Sequence, residues 1–179
     1  MKFVEVNNSN KDLAIKLQAI LFPSEKSPKQ VIRGIKTNNP KNFIAYRYNK
    51  PVGIVGYYFE KNLSDHILIN WFGVLKEYRN KGIGTKILKQ LISICKQRKE
   101  NYLTTYTDKF ENSESVNLYK KLGFDVRDYV NVDDIKKFSN LGVKNNYVIC
   151  CYKLKKCEDI EFEKLNLKIY EDLMEMKNN

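Results

Sequence analysis

Apolar and polar positions follow two periods along this chain, and the switches between them mark out its elements. Phe3-Val4-Glu5-Val6 alternates as a short strand does. Leu13, Ile15, Leu17, Ile20 and Leu21 then follow Ser9 and Asp12 at roughly helical spacing and stop before Pro23. Pro28 fits the first turn of a second helix, with Val31, Ile32 and Ile35 on one face. Three apolar, β-branched and aromatic runs come next, at Asn42–Tyr48, Val52–Glu60 and His66–Val74. Turn residues separate them, Asn49-Lys50-Pro51 being the first set, so they predict an antiparallel meander. Ile83, Ile87, Leu88, Leu91, Ile92 and Cys95 recur at helical spacing, opposite a face of lysine and glutamine. Tyr102–Thr107 predicts a strand, Ser113–Leu122 a helix, Phe124–Val130 a strand and Tyr147–Leu154 its partner. Residues 131–146 between the last two are polar and irregular, with a helical turn expected at Asp134–Phe138. Phe162, Leu165, Ile169, Leu173 and Met176 share one helix face, a tail expected to pack on the domain or on a second subunit.

Neither a repeat nor an interdomain linker interrupts this order. At 179 residues the expectation is one domain over 1–179, with a core at about 3–154 and a C-terminal extension at 155–179. The apolar runs fall short of a membrane span, and the first residues lack the basic-then-apolar pattern of a signal peptide, so the protein is expected in the cytoplasm with no membrane partner. Cys95, Cys150, Cys151 and Cys157 have no metal-like spacing and His66 is the only histidine, so no metal site is expected. Adjacent Cys150 and Cys151 point to opposite faces of a strand, which disfavours a disulfide between them. The net charge of +11 comes almost wholly from dispersed lysines, with only five arginines and no nucleic-acid-binding signature. It therefore argues for steering of anionic ligands rather than for a nucleic-acid partner.

Residues 71–87 carry the sharpest chemical signal. An apolar run ends at Val74, crosses Arg79-x-x-Gly82-x-Gly84, and continues as an amphipathic helix. Glycines allow a tight turn that exposes successive N–H groups, and a helix start adds partial positive charge, so the segment is built as an anion cradle. It is not a dinucleotide-binding turn, because Ile87 stands at the third glycine position and no acid closes a following strand. Nor is it a P-loop, since Gly84 is followed by Thr85-Lys86. It resembles instead the Arg/Gln-x-x-Gly-x-Gly/Ala pyrophosphate loop of the GCN5-related N-acetyltransferase (GNAT) superfamily. A second segment resembles that superfamily's other signature, through Asn112, Leu118, Tyr119, Lys121, Gly123 and Phe124, with Ser115 where alanine is usual.

The resemblance covers about residues 3–154 and implies an α/β (α+β) fold. Its sheet would be mixed, mostly antiparallel and about seven-stranded, splayed after the fourth strand and flanked by about four helices, with the C-terminal helix added. Acetyl-coenzyme A would be the cosubstrate and an amine the acceptor. By resemblance, the amides of Arg79, Asn80, Lys81, Gly82, Ile83, Gly84 and Thr85 hold the pyrophosphate, and Gly73, Val74 and Leu75 bond the pantetheine arm. An N–H near Val74 would polarise the thioester carbonyl. Asn112 would reach the coenzyme or cap its helix. Tyr119 would donate to the thiolate leaving group, or pack in the core. The family's usual carboxylate on the fourth strand is missing, leaving Glu60 and Asp65 as base candidates, with His66 a third. Trp71 and Phe72 are expected on opposite faces, one in the core and one lining the acceptor cleft. Two activities fit: acetyl transfer to a primary amine of a small molecule or protein by direct attack on the thioester, or a non-catalytic acyl-coenzyme A-binding regulatory module.

Overall fold

A computed structural model describes residues 1–23, 29–61, 63–128, 147–162 and 165. They form a mixed α/β fold of seven strands and four α-helices in the expected order. The strands are β1 (Lys2–Glu5), β2 (Lys41–Arg47), β3 (Lys50–Tyr58), β4 (His66–Val74), β5 (Tyr102–Asp108), β6 (Asp125–Asp128) and β7 (Tyr147–Lys153). The helices are α1 (Lys11–Leu21), α2 (Lys29–Thr37), α3 (Ile83–Cys95) and α4 (Ser113–Lys121), with an unanticipated 3₁₀ turn at Lys76–Tyr78. The expected turn at Asp134–Phe138, the end of the strand expected to reach Val130 and nearly all of the C-terminal helix lie outside the described residues. So do Pro28 and most of residues 22–30 and 131–146.

The described residues divide into two compact units, Met1–Glu60 with Ile67–Lys99, and Lys61–His66 with the chain from Glu100 onward. In the first unit β1, β2, β3 and β4 pair antiparallel in sequence order. Ala14, Leu17, Val31, Ile44 and Ile54 are buried together, which joins α1 and α2 to the strands. The apolar stripe of α3 is buried along its whole length, from Ile83 through Cys95, because its polar positions fall on the opposite side. In the second unit β7 pairs antiparallel with both β5 and β6, and α4 buries Val116 and Tyr119.

Two local departures from the sequence reading have clear causes. The β2–β3 turn sits at Tyr48 and Asn49, both left-handed, one residue ahead of Asn49-Lys50-Pro51. Lys50 and Pro51 belong to the strand, and Pro51 is accommodated because the register shifts beside it, between Ala45 and Tyr46. The second departure lies in β4, where Ile54 pairs with Gly73 but Gly56 pairs with Asn70. Trp71 and Phe72 thus oppose the single residue Val55, a β-bulge with Trp71 at a φ of 49°. The bulge interrupts the regular alternation at those two aromatics; both are half-buried, and Trp71 packs against the core shared by α1 and α2.

Candidate active site

The bulge sets the register of the three residues that follow it. Leu75 donates its N–H to the Val52 carbonyl at 3.0 Å, which makes Leu75–Val52 a hydrogen-bonded antiparallel pair. Bonded and non-bonded pairs alternate, so Gly73 faces Ile54 through its backbone groups while those of Val74 turn away from β3. Of the three residues expected to bond a pantetheine arm, Val74 therefore presents its amide, whereas the amides of Gly73 and Leu75 are committed to β3. The Val74 carbonyl accepts from Arg79 Nε at 3.0 Å. Arg79 thus ties the following loop back to the strand end. Gly73 lacks a side chain for a packing reason: a Cβ there would meet Leu21 Cδ1 and Phe22 Cζ at 3.1 Å. Phe22 in turn lies edge-on to Trp71, with ring centroids 4.9 Å apart.

The loop from Arg79 to Gly82 is shaped by two left-handed residues, Asn80 at a φ of 57° and Gly82 at 69°. Gly82 is the N-cap of α3, and the first intrahelical bond runs from Lys86 N–H to the Gly82 carbonyl. The N–H groups of Ile83, Gly84 and Thr85 precede that bond and have no acceptor within the helix. No side chain caps them, and the first turn carries no acid. A Cβ on Gly82 would meet nothing within 4 Å, so the left-handed backbone alone favours glycine there. Ile83 is buried and fixes the helix start in the core, while Lys81 Nζ donates to the Glu77 carbonyl at 2.9 Å. Left-handed turns and uncapped amides thus meet at the positive end of α3, an arrangement that suits an anion.

In the second unit the approach to α4 is organised by Asp108, which sequence reasoning passed over. Its buried carboxylate accepts from Phe110 N–H and Glu111 N–H, both at 2.8 Å. The signal was present, as an aspartate two residues ahead of the turn it nucleates. Asn112 stands at the N-cap, donating its N–H to the Asp108 carbonyl and accepting from Val116 N–H. Its exposed side chain makes no capping bond, so it is not spent on the helix.

Tyr119 lies on the buried face of α4, with its ring 5.1 Å from that of Phe124. Burial, with a smaller contribution from Cys150, holds its phenol well above the usual tyrosine pKa, while a hydrogen bond with Thr105 works weakly the other way. The hydroxyl is a proton-bearing donor at any neutral pH. Cys150 and Cys151 are free, buried thiols, each pushed up to about 12, chiefly by desolvation. They are packing groups and not nucleophiles.

The base candidates are dispersed. Glu60 follows the end of β3 and is half-buried; Asp65 is exposed, and its carbonyl accepts from the N–H groups of Asn101 and Tyr102. His66 is stacked on Tyr102 at 4.7 Å, and its Nδ1 lies 2.8 Å from Thr104 Oγ1, a structural setting. On β4, the place of the missing carboxylate, Asn70 Nδ2 donates to Oδ1 of buried Asn42 at 2.9 Å. Among the described residues no cluster of histidine, cysteine, aspartate or glutamate suits a metal ion, and no helix is long and apolar enough to cross a membrane.

Comparison with known proteins fits this geometry. A family model described as the acetyltransferase (GNAT) family matches residues 12–124. A probable N-acetyltransferase, camello, of Xenopus tropicalis is 32% identical over 82 residues, 46% of this chain and 37% of that protein. The match thus spans little more than a third of that relative. The ribosomal-protein-S18-alanine N-acetyltransferase from Escherichia coli superposes with a TM-score of 0.66 at 15% identity, over 88% of this chain and 96% of that one. An aminoglycoside 6′-N-acetyltransferase complexed with coenzyme A gives 0.66 at 15% identity, over 89% and 100%. At such identities these two structures establish the fold alone.

Proposed function

Because the chain belongs to the acetyltransferase (GNAT) family, we propose that it is an acetyl-coenzyme A-dependent N-acetyltransferase, one domain acting in the cytoplasm on a primary amine of a small molecule or a protein. The observation that carries this reading is the uncapped, acid-free start of α3 behind left-handed Asn80 and Gly82. Three amides with no intrahelical acceptor and the helix dipole suit the pyrophosphate of a coenzyme. The coenzyme supplies the activated acetyl thioester. The protein's own part is electrostatic and positional.

In this reading the Val74 N–H, turned away from β3, donates to the acyl oxygen where charge builds during amine attack. Tyr119 keeps its proton through burial and delivers it, or a hydrogen bond, to the departing sulfur. Asn112 offers its uncommitted side chain to the coenzyme. Glu60 and Asp65 remain the carboxylates proposed to take the amine proton, through water. One observation favours the second reading, a non-catalytic acyl-coenzyme A-binding module: the position of the missing carboxylate is occupied by an asparagine locked to Asn42.

Thermal stabilisation by acetyl-coenzyme A, followed by a panel of amines with release of free thiol as the readout, tests both readings. The enzyme is expected to bind and to turn over at least one amine. Binding without turnover across the panel would favour the regulatory module, and absence of binding at millimolar ligand would remove both.

A further inference from the structure

The first turn of α3 does more than form the cradle. On the side of the β2–β3 hairpin it closes a pocket of about 450 Å³, lined by Lys2, Tyr46, Arg47, Tyr48, Ile83 and Lys86 among others. No carboxylate lines it, and among the described residues none of the three cations forms an ion pair. Three unneutralised cations around one concavity repel one another, an arrangement that an anion relieves.

The hairpin tip adds an independent observation. Tyr48 and Asn49 take φ values of 49° and 60° between the paired residues Arg47 and Lys50. Such a turn favours Asn-Gly, and a bulky aromatic in the left-handed region costs backbone energy. Packing does not offset that cost, because Tyr48 is 86% exposed. Its ring instead carries the Arg47 guanidinium, 5.2 Å from the centroid. A strained, exposed aromatic with a cation held against it is a stacking platform beside a phosphate-binding group.

Pocket and cradle share residues. Ile83 gives its amide to the cradle and its side chain to the pocket floor, and Lys86 stands one position beyond the last cradle amide. One helical turn, about 5.4 Å, is comparable with the span of a ribose. We propose that this pocket is a phosphate-monoester site that takes the ribose 3′-phosphate of coenzyme A, with Tyr48 offered to the adenine. The assignment rests on the reading that the cradle holds the coenzyme's pyrophosphate. It assigns the β2–β3 hairpin the task of telling coenzyme A from nucleotides that lack a 3′-phosphate.

Calorimetric titration of the full chain with coenzyme A and with 3′-dephospho-coenzyme A tests it without knowledge of the acceptor. Wild type is expected to bind coenzyme A about tenfold more tightly, from partly exposed charge pairs. That preference should shrink toward unity in Arg47→Ala and Lys86→Ala, and in wild type at high salt. Tyr48→Gly, which relieves the backbone, should unfold at a higher temperature yet weaken both ligands. A preference near unity in wild type, or one unchanged in both alanine variants, overturns the assignment while leaving the cradle intact. Inorganic phosphate binding to protein already saturated with coenzyme A would give the pocket to a separate phosphate ligand and also overturn it. If neither coenzyme binds, the cradle reading itself falls.

Discussion

In the proposed mechanism Tyr119 serves packing and chemistry together. Its burial against Phe124 holds the ring, and the same burial keeps the proton on the oxygen. Tyr119→Phe preserves the packing and removes the donor, so turnover should fall about a hundredfold with little change in coenzyme affinity. Because the pKa is shifted upward, the group stays protonated to a higher pH than an ordinary tyrosine. The wild-type rate profile should therefore show no alkaline limb from this residue below about pH 10. Stopped-time assays of both proteins across pH check this, and a fully active phenylalanine variant sinks the assignment. The tyrosine could be nominated from the sequence because it sits in a spaced motif with Asn112, Gly123 and Phe124. The base was not, because Asp65 and His66 carry their visible roles through a carbonyl and a stacked ring, which residue type does not encode.

At the scale of elements, periodicity recovered the order of strands and helices because each buries one face at a fixed spacing. It failed at β4, where the bulge leaves no mark on an unbroken apolar run: Trp71 takes a left-handed φ that nothing in His66–Val74 announces. That bulge decides which amide near Gly73 faces outward, so part of the candidate site lies beyond sequence reading. The α3 start was legible because glycine there answers to conformation. Gly82→Ala should cost about 1 kcal/mol, through the positive φ alone, since its Cβ would meet nothing. Gly82→Asn should cost less, asparagine being tolerant of that region. Urea unfolding measures both costs, and equal losses for the two variants would mean that the backbone argument is wrong. Coenzyme affinity should fall with the same ranking, because the cradle amides depend on that turn.

For the molecule as a whole, the net charge of +11 opposes compactness, and raising the pH relieves that repulsion up to the isoelectric point near 9.4. The buried acids act in the opposite direction. Cys150 and Cys151 rise from 9.0 to about 12 and Tyr102 from 10.0 to about 12, all chiefly by desolvation, and Tyr119 rises as well. Each group gives up its proton more readily in the unfolded chain than in the folded one. Below pH 9 neither state ionises them, so their contribution is fully present; as pH climbs from 9 toward about 12, only the unfolded chain gains by releasing protons. Unfolding free energy from urea titrations should therefore be insensitive to these groups below about pH 9 and fall above it. Replacing both cysteines by alanine costs packing at every pH, but it should also move the onset of decline from about pH 9 to about pH 10, where the tyrosines begin to titrate. An onset that stays at pH 9 in the double variant would show that the thiols are not the groups responsible.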